Sequence, residues 1–407
     1  MYCRLARVQV AFWGNPITSG SKHMDFFVSA DCMEHPYRNR IPETEEPYTE
    51  QVVLLEGQGI WYNRPESPSM QLQLANYTIV ENFSLEEYNR EYFQLESGWF
   101  IYLCPQSVFK MHPLFDEVFR DILAGNPLGH VVVTGGRRES WTQTYATRLR
   151  FVMGPLLFPR LHIIPRVSSE KFLGLLNIAD VILHPFPFDG SRTSADGLIA
   201  GVPVITLPSE HLRGRMGAAF YRTMNIPELV AKNRSDYAHI AIKLSANSTF
   251  YSHMRQLILE RSGLIWEDMS VPFNWMQFLA RVSGLLSPSW ERFLEGSERN
   301  VSHEMKLATL RENNRKSFDA KWGPEFWLLS DGIASLPSFL EPSQRPLIFS
   351  DWLNGTQKKL GPSNHLQNVP SETITMVEQE ICFCDPTCLL EFGFRSYSQV
   401  FASYCMR

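Results

Sequence analysis

Ala179-Asp-Val-Ile-Leu-His-Pro-Phe-Pro-Phe-Asp-Gly-Ser-Arg-Thr-Ser-Ala-Asp196, running on into Gly201-Val-Pro-Val-Ile-Thr-Leu-Pro208, reads as a buried strand, a Gly/Ser/Thr loop, a short helix and a second buried strand. A loop of small residues opening a helix suits a phosphate. The first N–H groups of a helix lack intrahelical acceptors, and the helix dipole favours negative charge there. The stretch therefore points to a nucleotide or nucleotide-sugar site. A ligand-free alternative stands beside it, because Thr193 and Asp196 are also spaced for a capping box.

Working upstream, the same alternation repeats. Trp99-Phe-Ile-Tyr-Leu103 reads as a strand and His112 to Leu123 as an amphipathic helix. His130-Val-Val-Val-Thr134 is a strand stopped by Gly135-Gly136, and Trp141 to Phe151 is helical. Leu161-His-Ile-Ile164 is a strand, and Ser168 is the expected N-cap of a helix reaching Ile178. Val181-Ile-Leu183 and Val204-Ile-Thr-Leu207 complete the set. Short all-apolar strands alternating with helices predict a parallel sheet covered on both faces, a Rossmann-like lobe over residues 98–245. Helices at Ser235–Leu244, Thr249–Glu260 and Phe273–Leu285 are expected to close that lobe, extending it to residue 286.

Three further strand-like runs, Val8–Trp13, Met24–Ser29 and Gln51–Leu55, precede it. The loop Gly14-Asn-Pro-Ile-Thr-Ser-Gly20 ends the first of them, on the strand edge where open α/β sheets bind ligands. Three strands without clear crossover helices suggest a partial N-terminal lobe over residues 1–97, with part of it expected upstream. Its last portion, Tyr62 to Glu96 with Arg64-Pro-Glu-Ser-Pro-Ser-Met70, reads as a connector. Two α/β lobes of this kind suit a nucleotide-sugar enzyme of GT-B type. Residues 287–407 lack sustained periodicity apart from a charged helix candidate at Glu304–Arg315, and read as an irregular, partly disordered extension.

Composition removes several function classes. The 407 residues are 44% hydrophobic and 20% charged, with a net charge of −5 and scattered Lys and Arg. That argues against a nucleic-acid binder or a polybasic membrane surface. No apolar run reaches the length of a membrane span, and Met1-Tyr-Cys-Arg-Leu-Ala-Arg-Val lacks a signal-peptide core, so an intracellular chain is expected. Seven widely spaced cysteines fit reduced thiols better than a disulfide framework. The sequons at Asn76 and Asn300 then carry little meaning.

Cys104-Pro-Gln-Ser-Val-Phe-Lys110 follows a strand end directly, where Gln106 would fix a phosphate or base and Lys110 would neutralise a departing diphosphate. A turn glutamine and a solvent-facing lysine are the plain alternative. Arg192 and Thr193 lie where phosphate oxygens would sit, and Asp196 is placed to accept ribose hydroxyls. Arg213 and Arg215 would line the same cleft or a solvated face. His23, His112, His184 and His211 have no partner at a telling spacing and read as structural rather than as general bases. Cys382-Phe-Cys-Asp-Pro-Thr-Cys388 offers three thiols where zinc sites usually supply four paired ligands, so no metal site is expected.

The ordered pieces Val8–Gly20, Tyr48–Leu55, Cys104–Lys110, Ala179-Asp180, Arg192-Thr-Ser194, Gly201–Pro208 and Glu228-Leu-Val-Ala-Lys-Asn-Arg234 together resemble glycosyltransferase family 41, the protein O-GlcNAc transferases and SPINDLY-type O-fucosyltransferases. The resemblance runs from residue 7 to about 285. It implies a GT-B fold and inverting, metal-independent transfer of a sugar from a nucleotide donor, UDP-GlcNAc first among them, to Ser or Thr of an intracellular protein in cytoplasm or nucleus. It implies that Gln106 and Lys110 bind diphosphate, with Lys110 acting in catalysis, and that Thr193 with Arg192 or Ser194 forms the phosphate-binding pair. Asp196 becomes the ribose-binding acid. Two departures stand out: Ser191 and Phe172 replace histidines of animal members, and Phe172 can stack on a base but not hydrogen-bond to it. The family's upstream catalytic histidine and aspartate, sugar-contacting loop and tetratricopeptide repeats have no counterpart here. That favours, as an alternative, a non-catalytic nucleotide-sugar-binding protein, and another GT-B nucleotide-sugar enzyme stands beside it because it needs the same donor site without a protein acceptor.

Overall fold

The computed structural model describes residues 3–34, 48–63, 87–283, 298–322 and 347–348. The connector Arg64–Met70, the Asn76 sequon and the Cys382–Cys388 cluster lie outside them. The chain divides into two compact units. One comprises Met1–Asn63, Glu267–Leu310 and Pro337–Arg407; the other comprises Arg64–Trp266 and Arg311–Leu336.

The first unit is built on a parallel sheet of β1 (Val10–Phe12), β2 (Phe26–Ala30), β3 (Gln51–Leu55) and β9 (Leu347–Ile348), in that order. Its buried core of Val28, Val53 and Leu55 is completed by Phe278 of helix α8 (Ser270–Ser283), which stacks edge-on against Phe26. Trp275 of the same helix donates Nε1–H to the Gly59 carbonyl at 3.1 Å. The apolar face of α8 thus serves this sheet, where the sequence reading runs it with the following lobe. The Asn15–Gly20 loop is pinned by Glu50, whose carboxylate accepts from Thr18 Oγ1 and Ser19 N, each at 2.7 Å.

The second unit holds a five-stranded parallel sheet in the order β6-β5-β4-β7-β8, made of β4 (Phe100–Cys104), β5 (Gly129–Thr134), β6 (Leu161–Ile164), β7 (Val181–Leu183) and β8 (Val204–Ile205). Ile101–Cys104 and Val131–Val133 are wholly buried, so these strands read as continuous apolar runs, not alternations. The crossovers are α1 (Pro113–Gly125), α2 (Glu139–Leu157), α3 (Ser169–Ile178) and α4 (Arg192–Ile199). Beyond β8 come α5 (Met216–Met224), α6 (Arg234–Ala246) and α7 (Ser248–Arg261).

Local chemistry starts these helices where it should. His112 Nδ1 accepts from Leu114 N at 3.2 Å with Pro113 following, and Ser168, Asn233 and Asn247 cap α3, α6 and α7 with their side chains. Asp180, part of the motif series, is structural. Its Oδ2 accepts from Ile101 N and from Arg90 Nη2, each at 2.7 Å, tying β4 to the start of β7.

The tail contributes more order than its composition predicts. The helix candidate at Glu304–Arg315 is the middle of a longer helix, α9 (Glu298–Trp322). In the second unit, buried Arg311 donates Nε–H to the Leu264 carbonyl at 2.9 Å, and Phe318 is fully buried. Arg222 grips Asp319 through two hydrogen bonds of 2.7 and 2.6 Å. The helix's polar composition hides this anchorage, because few of its side chains do the packing. Among the described residues, no helix is long and apolar enough to cross a membrane.

Candidate functional site

β4 is the first strand of its sheet, and the chain runs outward from it to β5 and β6, then returns to place β7 and β8 on its other side. The loops after β4 and β7 therefore leave the sheet in opposite directions, opening a crevice at their carboxyl ends. Gln106 and Lys110 ride on the first loop, and Arg192, Thr193 and Asp196 on the helix start that follows the second.

The two loops meet through side chains. Gln106 Nε2 donates to Thr193 Oγ1. Lys110 Nζ donates to Gln106 Oε1 at 3.0 Å and to the Asp189 carbonyl at 2.7 Å, and lies 4.4 Å from the centre of the Phe188 ring. Gly190 makes the approach possible. A Cβ there would overlap Gln106 Nε2 and sit 2.7 Å from Thr193 Oγ1 and 2.9 Å from Ser194 Oγ.

Helix α4 begins at Arg192, with Ser191 as N-cap and no capping side chain. The capping box open to Thr193 and Asp196 is not formed, since Thr193 is already the second helical residue. Asp196 Oδ1 instead accepts from Arg192 Nε at 2.8 Å. The backbone N–H groups of Arg192 and Thr193 have no acceptor among the described residues. They are the free donors that an anion at a helix start would use.

A cleft of about 770 Å³ adjoins this cluster. Phe172, Arg192 and Asp196 line it, together with Trp141, Arg137 and Arg166. Gln106, Lys110 and Thr193 are not among its lining residues and bond to one another instead. Arg192 also places its guanidinium 5.5 Å from the centre of the Trp266 ring. Burial pushes the Asp196 carboxyl up, opposed by Arg192. Burial pushes the Lys110 ammonium down, and the negative charge of Asp189 opposes that shift.

Ser194 sits apart from the cleft. It is buried, and its hydroxyl meets Nε2 of the equally buried His184. Burial and the nearby Lys110 push His184 down to about 3, so its ring is neutral at physiological pH. His112 is a helix cap, and Arg215 is buried with Nη1 on the Ser209 carbonyl at 2.9 Å. Arg213 does not line the cleft. Sequence reasoning did not single out Trp141, Arg137, Arg166 or Asp189. For Arg137 and Trp141 the Gly135-Gly136 break at the carboxyl end of β5 was the available signal, and Arg166 lies just past the carboxyl end of β6.

Residues 90–266 match the sequence model of glycosyl transferase family 41. A probable UDP-N-acetylglucosamine–peptide N-acetylglucosaminyltransferase SPINDLY from Petunia hybrida is 23% identical over 300 residues, covering 73% of this chain and 29% of that protein. A UDP-N-acetylglucosamine–peptide N-acetylglucosaminyltransferase from Caenorhabditis elegans is 31% identical over 131 residues, 32% of this chain and 11% of that one. This chain thus spans under a third of the length of either protein. Among solved structures, a mutant O-GlcNAc transferase from Thermobaculum terrenum superposes with a TM-score of 0.51 at 18% identity, covering 77% of this chain and 49% of that chain. The fold is α/β of GT-B type.

Proposed function

We propose, from the premise that residues 90–266 are the glycosyl transferase family 41 region of this chain, that the protein is a glycosyltransferase. It binds the diphosphate of a nucleotide-sugar donor at the switch point between β4 and β7 and passes the sugar, with inversion, to a Ser or Thr hydroxyl of an intracellular protein. The observation that carries this reading is the joined set Lys110–Gln106–Thr193 beside two free helix-start N–H groups.

In this reading Lys110 and the N–H groups of Arg192 and Thr193 meet the charge that grows on the diphosphate as the sugar departs. Donors fixed in advance in a partly buried site stabilise that charge more than water does. No metal is needed in such a scheme. Phe172 and Trp141 offer faces for a base, and Asp196 an acceptor for ribose hydroxyls. UDP-GlcNAc is the first donor to try.

Calorimetric titration of UDP, GDP, UDP-GlcNAc and GDP-fucose into the protein and into Lys110→Ala and Asp196→Ala tests the site. Micromolar binding of one nucleotide, lost in both variants, is expected. Turnover of the matching sugar nucleotide that vanishes in Lys110→Ala supports the enzyme. Binding without turnover leaves a nucleotide-sugar-binding protein, and no binding by any of the four removes the reading.

A further inference from the structure

Behind the proposed diphosphate site lies a carboxylate that the reading above does not use. Asp189 is 4% exposed, and both its backbone and its carboxylate are held. Its N–H donates to the Arg213 carbonyl at 3.0 Å, and its carbonyl accepts from Lys110 Nζ at 2.7 Å. Its Oδ2 accepts from Gly217 N at 2.8 Å, in the first turn of α5, where the helix dipole favours an anion. Gly217 is suited to this approach: a Cβ there would crowd His184 and stand 2.9 Å from Thr206 Oγ1.

We propose that Asp189 is a positioning residue for the diphosphate: its carbonyl holds the Lys110 ammonium beside Gln106 and Thr193, and its buried carboxylate keeps that ammonium charged. The inference rests on the reading of Lys110 as a diphosphate ligand. The groups around the pair leave Asp189 as its counter-charge. The Cys104 thiol on β4 is buried, and burial pushes it up, so it stays neutral. His184, with Nδ1 at 3.9 Å from Asp189 Oδ2, is neutral because of its burial. Gln106, Thr193 and Phe188 carry no charge. Arg192 and Asp196 pair with each other, and Arg215 acts on Asp189 more weakly than Lys110 does. Burial pushes Asp189 up to about 7, opposed by the Gly217 hydrogen bond and by Lys110.

These charges give the pair a signature that a merely structural residue lacks. Below pH 7 the Asp189 carboxyl is increasingly neutral, so Asp189→Asn should bind a nucleoside diphosphate as well as the unaltered protein does. Above it, the carboxylate supports the Lys110 ammonium only in the unaltered protein. The variant should then lose affinity at lower pH, by about tenfold relative to the unaltered protein for each unit by which Lys110 titrates earlier. The nucleotide's own titration cancels in the ratio.

Titration calorimetry of UDP and GDP at pH 6, 7, 8 and 9, with near-ultraviolet circular dichroism to confirm folding, decides the matter. Similar affinities at pH 6 and a deficit of the variant that widens toward pH 9, by about tenfold for each unit by which Lys110 titrates earlier, are expected. A constant deficit at every pH, or none, overturns the role. If Asn at this position does not fold, Asp189→Ser carries the same comparison in a smaller side chain. Failure of the unaltered protein to bind either nucleotide is a different result, which removes the diphosphate site itself.

Discussion

Gln106 Nε2 donates to Thr193 Oγ1, joining two loops that are 87 residues apart in sequence. The bond spans the switch point of the sheet, and it exists because Gly190 leaves room for it. Gly190→Ala is therefore expected to push Gln106 and Thr193 apart and to weaken nucleotide binding at least about tenfold, the loss of one or two good hydrogen bonds. Titration calorimetry checks it. Unchanged affinity would mean that the glycine matters only to the local packing.

Tyr237 lies fully buried under the same strands, with its hydroxyl 3.0 Å from both the His184 and Ile205 carbonyls at the ends of β7 and β8. Tyr237→Phe removes the one hydroxyl donor that the two carbonyls share, while the Ile205 carbonyl keeps the His184 N–H at 3.0 Å. It should cost about 1–2 kcal/mol, seen as a lower midpoint in denaturant unfolding. The diphosphate groups do not touch Tyr237, so nucleotide affinity in the folded variant should change little.

Phe318 tests whether the tail helix is integral to the second unit. Its ring is fully buried, so Phe318→Ala should destabilise that unit by about 3–5 kcal/mol. Guanidinium unfolding followed by tryptophan fluorescence reads this out. A loss below about 1 kcal/mol would show that α9 docks without contributing stability.

Acid sensitivity should centre on a stack at the opposite edge of the sheet from the site. Trp99 lies on His130 with ring centres 3.7 Å apart, and His130 Nδ1 is 2.9 Å from His162 Nε2. Burial and the neighbouring His162 push His130 down to about 4, and burial lowers His162. A histidine lowered on folding supports the native state fully above its ordinary value near 6.5, and that support fades as pH falls toward 4. Asp189 is raised on folding and works in the opposite sense, its contribution fading as pH climbs from about 4 to about 7. His130→Phe keeps the stack, removes one titrating ring and leaves Asp189 alone. Its melting temperature should therefore fall less steeply than the unaltered protein's between pH 6.5 and 4. Parallel curves would rule the pair out.

The five-stranded sheet was legible because a strand buried on both faces must be continuously apolar. Tyr102 and Val132 sit in such runs, and the order of runs and helices implies parallel crossovers. The first sheet was legible only as three separate runs, and its strand Leu347–Ile348 was not. The phosphate-type helix start was legible only as an ambiguity. Thr193 and Asp196 satisfy a capping-box spacing and a ligand-binding one equally well, and the pairing of Asp196 with Arg192 removes the first. Ser194 shows a limit of motif reading, since neighbours on one helix turn face different ways. Thr193 meets Gln106, while the Ser194 hydroxyl turns inward to His184. The tail helix was half legible, because Arg311, Phe318 and Asp319 are too few among polar neighbours to make a pattern.

By itself, the sequence determined the α/β class, the parallel strands of the second unit and the small-residue helix start after β7, since each follows from local hydrophobic period and backbone freedom. Only the tertiary structure decided which side chains meet there: that Lys110 lies against the Asp189 carbonyl, that Gly190 admits Gln106 to Thr193, and that α8 serves the first sheet. Those contacts join residues far apart in the chain. Their energy depends on distance, burial and the charges that close around them, and none of these is a property of the residues taken in order.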